Sequence, residues 1–310
     1  MTSPLDPDGV GRHWTGTDAR LALLRAGLIQ SEHPFEAWER EDRLAVPLPG
    51  DRLAWFPTTK DGRVQLHRER RVLRLLEKYC RFQAPRVLFE DPTGWDFRSL
   101  IPGSVRPFHL RDRLQCDPQL ANRFGEDLGR ILADQHSSIP STDLRGWLPG
   151  TANWPRSEDI PHLPQVVDDP QLLSRMELAL ERRAAMLSQV SGPVLVHGDL
   201  GPHNVVVDPD SLRLRGVFDY DGALLADRHQ DFTYMLLHQS EEPVLESAIA
   251  IYEPITGERI DRDRVRLLNA VAAIGYLAYR HGHAPDEEWC GRTLGQDLAW
   301  ARAALTYAGL

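Results

Sequence analysis

Val196-His197-Gly198-Asp199-Leu200-Gly201-Pro202-His203-Asn204-Val205-Val206-Val207-Asp208, followed by Gly216-Val217-Phe218-Asp219-Tyr220-Asp221, is where residue type and spacing say most. Two apolar, β-like runs bracket a turn built on Gly198, Gly201 and Pro202. Asp199 precedes Asn204 by five positions, and Asp219 follows Asn204 by fifteen, at the end of a second apolar run. Aspartate and asparagine are common in turns for conformational reasons, so any one of the three alone is uninformative. Their joint spacing between short strands decides the reading. One carboxylate to accept or orient a hydroxyl proton, with an amide oxygen and a second carboxylate for Mg²⁺, suits phosphoryl transfer. That chemistry is mostly positioning and charge neutralisation, and Mg²⁺ prefers oxygen ligands.

Outward from this segment, the first hundred residues predict a small mixed sheet. Arg43–Pro47 and Arg52–Phe56 flank Pro49-Gly50-Asp51 as a hairpin. Val64, Leu66, Val72, Leu73 and Leu76 fall at helical spacing and predict a helix of about four turns. Arg86–Glu90 and Trp95–Ile101 form a second strand pair across Asp91-Pro92-Thr93-Gly94. After Pro102-Gly103 the pattern becomes helical, at Pro118–His136, Gln171–Gln189, Asp263–Arg280 and Thr293–Tyr307, with Asp261 or Asp263 as a cap. Ser137–Asp169, rich in Pro, Gly, Ser and Asp, is too long for a plain connection and reads as a functional or mobile loop. The expected class is α+β, with a small mixed β-sheet lobe over 1–101 and a mainly helical lobe over 102–310.

Composition narrows the function classes. The chain has 310 residues, with 36 basic and 45 acidic side chains, a formal net charge of −9 and 42% hydrophobic residues. This is ordinary globular composition, with core enough for two lobes, and it argues against a nucleic-acid partner. Cys80, Cys116 and Cys290 are odd in number and lack close spacing, which argues against a disulfide framework and fits a reducing compartment. Met1–Asp8 has no signal-peptide pattern, and no apolar run is long enough to span a bilayer. The expectation is a cytoplasmic protein without a membrane partner; its oligomeric state is open.

The central segment resembles the aminoglycoside phosphotransferase family, small-molecule kinases distantly related to the protein kinases. The family's His-Gly-Asp-x-x-x-x-Asn loop and following-strand Asp are matched by His197, Gly198, Asp199, Asn204 and Asp219. Weaker echoes lie in Arg68-Glu69, Ile101-Pro102-Gly103 and Leu128–His136, so the resemblance extends over about residues 35 to 305. It implies a protein-kinase-like two-lobe fold, an ATP or GTP donor, Mg²⁺, and a small-molecule hydroxyl acceptor such as an antibiotic or a metabolite. It implies Asp199 as the catalytic base or hydroxyl-orienting group, Asn204 and Asp219 as Mg²⁺ ligands, and His197 as a structural buttress. Ser99 to Ile101 becomes the hinge whose backbone pairs with a purine. Glu69 matches the helix glutamate that pairs with a phosphate-binding lysine in relatives.

That lysine is where the chain departs from the family. Fourteen residues before Glu69 stands Trp55, and the whole sequence holds two lysines, Lys60 and Lys78. Strand alternation places Arg52 on the face opposite Trp55, leaving Arg43 on the neighbouring strand, or Lys60, to reach over. Ala37-Trp38-Glu39-Arg40 stands where a glycine-rich phosphate loop is expected. A kinase-fold binding protein without turnover is therefore the rival reading. Without a basic partner Glu69 is a solvated helix residue, and Asp221 is either a second metal contact or a solvated loop residue. Asp227 and Asp231 read as a cap and a loop brace, and His136 as a packed residue. His281, His283 and Cys290 do not fit a zinc pattern. Trp147, Trp154, Trp289 and Trp300 read as core, and Glu241-Glu242 and Asp286-Glu287-Glu288 as solvated faces or, in a polyamine-binding kinase, substrate carboxylates.

Overall fold

The computed structural model describes residues 13–40, 42–150, 154–188, 190, 192–236, 242–289 and 291–310. Cys290, Glu241 and the Met1–Asp8 segment lie outside the described residues. The chain forms two compact units: one reaches to Ser104 and also takes Val206–Pro209 and Arg215–Asp221, and the other takes the remainder.

In the first unit, Thr15 and Asp18 form a reciprocal capping box that starts α1 (Gly16–Arg25). There follow β1 (Trp38–Glu39), β2 (Arg43–Leu48), β3 (Arg52–Pro57), α2 (Lys60–Tyr79), β4 (Val87–Glu90) and β5 (Asp96–Ser99). The strands make one antiparallel sheet in the order β1-β2-β3-β5-β4. The Pro49–Asp51 loop closes the β2–β3 hairpin with Gly50 and Asp51 both in the left-handed region, which matches the twist of the paired strands. The site expected for a glycine-rich loop is β1 itself, with Trp38 opposite Ala45 and Glu39 opposite Leu44.

Register sorts this sheet into two unlike faces. Ala45 lies opposite Trp55, Trp55 opposite Asp96, and Leu53 opposite Arg98, so alternation puts Arg43, Trp55, Asp96 and Arg98 together. The other face carries Leu44, Val46, Leu48, Ala54 and Phe56, which pack with Trp14, Ala19, Leu23, Ile29 and Trp95 as the core of the unit. Phe56 is fully buried between Trp14 and Trp95, each ring centroid 5.0 Å away. Burial of a side chain this size contributes about 1.5–3 kcal/mol. The charged face is covered by α2, whose 20 residues exceed the expected four turns because Thr59 caps its start and the helix runs on to Tyr79. Gly62 in the first turn of α2 lets the helix approach the chain before β2, since a Cβ there would sit 2.1 Å from the Asp42 carbonyl oxygen.

The second unit carries α3 (Pro107–Cys116), α4 (Pro118–Ser138), α5 (Pro170–Leu187) and β6 (Val194–Val196). The chain continues through the short paired strands β7 (Val205–Val207) and β8 (Leu214–Val217), then β9 (Leu224–Ala226), α6 (Glu242–Thr256), α7 (Arg262–Tyr279) and α8 (Leu294–Tyr307). Asp117, Asp169 and Asp261 cap α4, α5 and α7, and Thr293 with Gln296 boxes α8. Alpha-helices α1, α3 and α6 carry no clear signal in the sequence. The first two are short with weak amphipathic contrast, and α6 is largely apolar with Pro254 inside it. The described part of Ser137–Asp169 is packed: Leu144, Leu148, Leu163 and Val167 are buried, the last two against α5, α7 and α8. Gly125 and Gly129 let α4 and α6 touch backbone to backbone, since added Cβ atoms would meet Val244 and Ala248 carbonyl oxygens at 2.3 and 2.4 Å. Among the described residues no helix is long and apolar enough to cross a membrane.

Candidate active site

The turn after β6 is held from behind by one buried carboxylate. Asp231, fully buried, accepts from the His197 amide at 2.9 and 3.0 Å and from the Gly198 amide at 3.1 Å. From α4, Gln135 Nε2 donates to the same carboxylate at 3.0 Å and His136 Nε2 lies 3.1 Å from it, the other ring nitrogen facing the Tyr252 hydroxyl. A buried carboxylate surrounded by donors fixes the direction of the backbone it binds. Asp231 is thus the loop brace, and His136 is packed. Gly198 has φ +86 and passes so close to the Gly222 carbonyl that a Cβ would stand 2.6 Å from that oxygen. His197 is fully buried, and its Nδ1 accepts the Asp199 amide at 3.2 Å, which requires the proton on Nε2. It buttresses the turn.

Held this way, Asp199 presents a half-exposed carboxylate. Asn204 Nδ2 donates to the Asp199 carbonyl at 2.9 Å and to its Oδ2 at 3.2 Å, turning the amide oxygen away from Asp199. His203 Nε2 lies 3.0 Å from the same Oδ2, with its ring against Gly201, where a Cβ would come within 2.7 Å. Tyr234 also bonds Asp199; its burial first, then Tyr276 and Asp199, push its phenol well above the ordinary tyrosine value, so it remains a donor. His203 and Asn204 thus hold Oδ2 of Asp199, and Tyr234 bonds the same carboxylate. His203 and Tyr234 had no sequence signal beyond proximity for the first, and none for the second.

Asp219 follows β8 in the first unit with φ +67. A left-handed non-glycine residue costs on the order of 1 kcal/mol and persists where its surroundings over-determine it. Asn204 and Asp219 offer an amide oxygen and a carboxylate, the hard donor types that Mg²⁺ takes.

Glu69 is not a solvated helix residue: it is 3% exposed. Its Oε2 is 2.8 Å from Arg98 Nη1 and 3.6 Å from Arg43 Nη1. The two guanidinium groups flank the Trp55 ring, with centroid distances of 5.5 Å for Arg43 and 5.8 Å for Arg98. Arg98 continues to Asp96 at 2.7 Å, Asp96 to Arg70 at 3.0 Å, Arg70 to Glu90 at 3.2 Å and Glu90 to Arg74 at 2.5 Å. At the other end Arg43 Nη2 reaches Asp221 at 2.5 Å, with Nε on Asp42 at 2.9 Å. Asp221, Arg43, Glu69, Arg98, Asp96, Arg70, Glu90 and Arg74 thus form a ladder of strictly alternating charge. Burial opposes the charge on Arg43, but Asp221, Glu69 and Asp42 outweigh it and raise its pKa; Asp96 and Glu69 do the same for Arg98. Lys60 is exposed at the start of α2 and takes no part. Arg98 and Asp96 were missed in the sequence because only strand register groups them with Arg43.

At the end of β5, the Ser99 amide donates to the Arg86 carbonyl at 3.0 Å and the Leu100 amide to the Asp51 carbonyl at 2.7 Å. The Ile101 amide makes no hydrogen bond among the described residues. The remaining candidates are structural. Asp227 takes Arg264 Nε at 2.5 Å and His229 Nδ1 at 2.6 Å, and Asp221 is an ion-pair partner rather than a solvated loop residue. His281 stacks on His162 at 4.2 Å, and no three His, Cys, Asp or Glu gather as a metal site among the described residues. Trp300 is buried, and Trp154 and Trp289 pack on Tyr276 and Tyr279. Glu242 faces Arg266 at 3.4 Å.

The chain resembles known proteins in sequence and in fold. A 131-residue stretch is 30% identical to streptomycin 3″-kinase of Streptomyces griseus, covering 42% of this chain and 40% of that enzyme. The match thus spans well under half of that kinase's length. The fold is similar to that of the GDP complex of aminoglycoside 2′-phosphotransferase-IIIa, with a TM-score of 0.69 at 19% identity over 95% of this chain and 99% of that one. It is also similar to macrolide 2′-phosphotransferase from Brachybacterium faecium, with a TM-score of 0.62 at 21% identity over 93% and 98% of the two chains. These solved structures carry the kinase-like fold expected from the sequence. The model of the phosphotransferase enzyme family matches residues 51–268, well over half of the chain. The chain belongs to that family, the aminoglycoside phosphotransferases and their relatives.

Proposed function

We propose that this protein transfers the γ-phosphoryl group of ATP or GTP to a hydroxyl of a small molecule, an antibiotic or a metabolite, with Mg²⁺. The observation that carries the reading is the half-exposed Asp199 carboxylate, held on one oxygen by His203 and Asn204 and backed by the buried Asp231 brace. The relatives named above act on streptomycin, aminoglycosides and macrolides and, in one structure, bind GDP, which supports a nucleotide donor and a hydroxyl-rich acceptor. In this reading residues 1–101 bind the nucleotide and 102–310 carry catalysis and the acceptor.

Asp199 accepts a hydrogen bond from the acceptor hydroxyl and points its oxygen lone pair at the γ-phosphorus. The new O–P bond forms as the bond from the γ-phosphorus to the bridging oxygen of the nucleoside diphosphate breaks, and the hydroxyl proton passes to Asp199 and on to solvent. Orientation of the hydroxyl is the main contribution of Asp199. Asn204 and Asp219 are the ligands for Mg²⁺, which when bound neutralises phosphate charge. Asn204 suits this role because its Nδ2 is committed to Asp199 and its oxygen is turned away. The Ile101 amide and the Ser99 carbonyl pair with the purine edge, and Glu69 orients the arginines that face the phosphates. The test is incubation of the protein with ATP or GTP, Mg²⁺ and a panel of aminoglycosides, tuberactinomycin-type peptides, macrolides, sugars and amino alcohols. A product heavier than its acceptor by one phosphoryl group supports the reading. Nucleotide binding without any transfer across the panel favours the binding-protein alternative, for which the displaced lysine is the specific observation.

A further inference from the structure

The alternating ladder across the charged sheet face is ion-paired at each step from Glu69 to Glu90, but its two ends differ. The Arg74 end is surface, with a side chain 53% exposed. At the other end a guanidinium only 8% exposed is closed off by a carboxylate that is 35% exposed, and that carboxylate is Asp221. Arg43 is held by Asp42, by Glu69 and by Gln65 Oε1 at 3.2 Å, so its position does not depend on Asp221. A guanidinium fixed by its neighbours, with a terminal Nη2 turned to a half-exposed carboxylate, has the donor geometry that also fits a phosphate oxygen. Asp221 also stands two residues after the left-handed Asp219, on the same short turn.

We infer that Arg43, from β2, is the phosphate-binding cation of this protein in place of a lysine on β3, and that Asp221 occupies it as an internal anion until a nucleotide phosphate displaces it. The inference rests on the function proposed above and names the residue that meets the donor. Trp55 then has a positive role: its ring separates Arg43 from Arg98, so two like charges share Glu69 without contact. Displacement of Asp221 frees the Asp219 turn when the nucleotide arrives, coupling the two events. It also lowers the apparent nucleotide affinity by the fraction of time Arg43 spends on Asp221.

The test is calorimetric titration, in a metal chelator and low chloride, of the wild type, Asp221→Asn and Arg43→Gln with ADP, GDP, adenosine and guanosine. Asp221→Asn is expected to bind the preferred diphosphate about tenfold more tightly than the wild type, with nucleoside affinity unchanged. Arg43→Gln is expected to weaken the diphosphate by roughly thirtyfold or more, again sparing the nucleoside. Asp221 lies at the exposed end, so its replacement leaves the buried ladder intact. A merely structural role gives no gain in affinity. Equal or weaker diphosphate binding by Asp221→Asn overturns the inference, and if phosphoryl transfer persists the proposed function stands without it. No diphosphate binding by the folded wild type or by Asp221→Asn, with no transfer, removes both.

Discussion

The turn after β6 and the charged face of the first unit's sheet are built on opposite plans. The turn gathers Asp199, His203 and Asn204 within six consecutive residues and borrows its brace, Asp231, and the Tyr234 hydroxyl from elsewhere. The charged face collects three residues from α2, two from β5 and one each from β2, β4 and the Asp221 turn, and apart from Asp96 and Arg98 its paired neighbours lie far apart in sequence. Spacing along the chain sets the first geometry, and strand register sets the second.

The largest expected effect falls on the brace. Asp231→Ala leaves the His197 and Gly198 amides and the Gln135 and His136 side chains facing a buried void. Breaking such a buried charged network costs about 3–5 kcal/mol. Urea unfolding should show that loss; a change below about 1 kcal/mol would break the claim that the turn is held from behind.

Restoring the family's lysine should harm rather than help. Trp55→Lys inserts a third cation between Arg43 and Arg98, both already paired to Glu69. The expected outcome is a loss of about 1–3 kcal/mol in thermal or urea unfolding, with no gain in nucleotide affinity. A stabilised variant, or one that binds nucleotide more tightly, would show that the charged face lacks a cation.

The smallest effect is a pH dependence at Asp227. Burial works against its charge, but hydrogen bonds and attraction from His229, then Arg264, hold its pKa below the ordinary 3.8. A depressed carboxylate contributes stability above its unfolded pKa and loses it as the pH falls through the folded value. Asp227→Asn should therefore be less stable than the wild type near neutrality, by on the order of 1 kcal/mol, and the gap should close in acid. A gap independent of pH would assign the role of Asp227 to shape alone.

What was legible in the sequence follows the same division. The turn that gathers His197, Gly198, Asp199 and Asn204 was readable because they lie close together in the chain, and the hairpin of β2 and β3 because Pro49-Gly50-Asp51 announces it. Asp261 was readable as a cap for the same local reason. Arg98, Asp96 and Tyr234 were not, because register and tertiary packing, rather than chain neighbours, bring them to their partners. Arg43 could be named from the sequence as a partner for Glu69, but Arg98, the nearer one, is brought there only by register. Helices α1 and α3, of ten residues each, and α6, with Pro254 inside it, were not expected from the sequence.

The central claim is that Asp199 orients the hydroxyl that receives the phosphoryl group. The direct measurement is kcat for phosphoryl transfer beside the nucleotide Kd, for the wild type and Asp199→Asn. The account predicts a fall in kcat of about 10²–10⁴ with the nucleotide Kd unchanged. Turnover preserved in Asp199→Asn would contradict it.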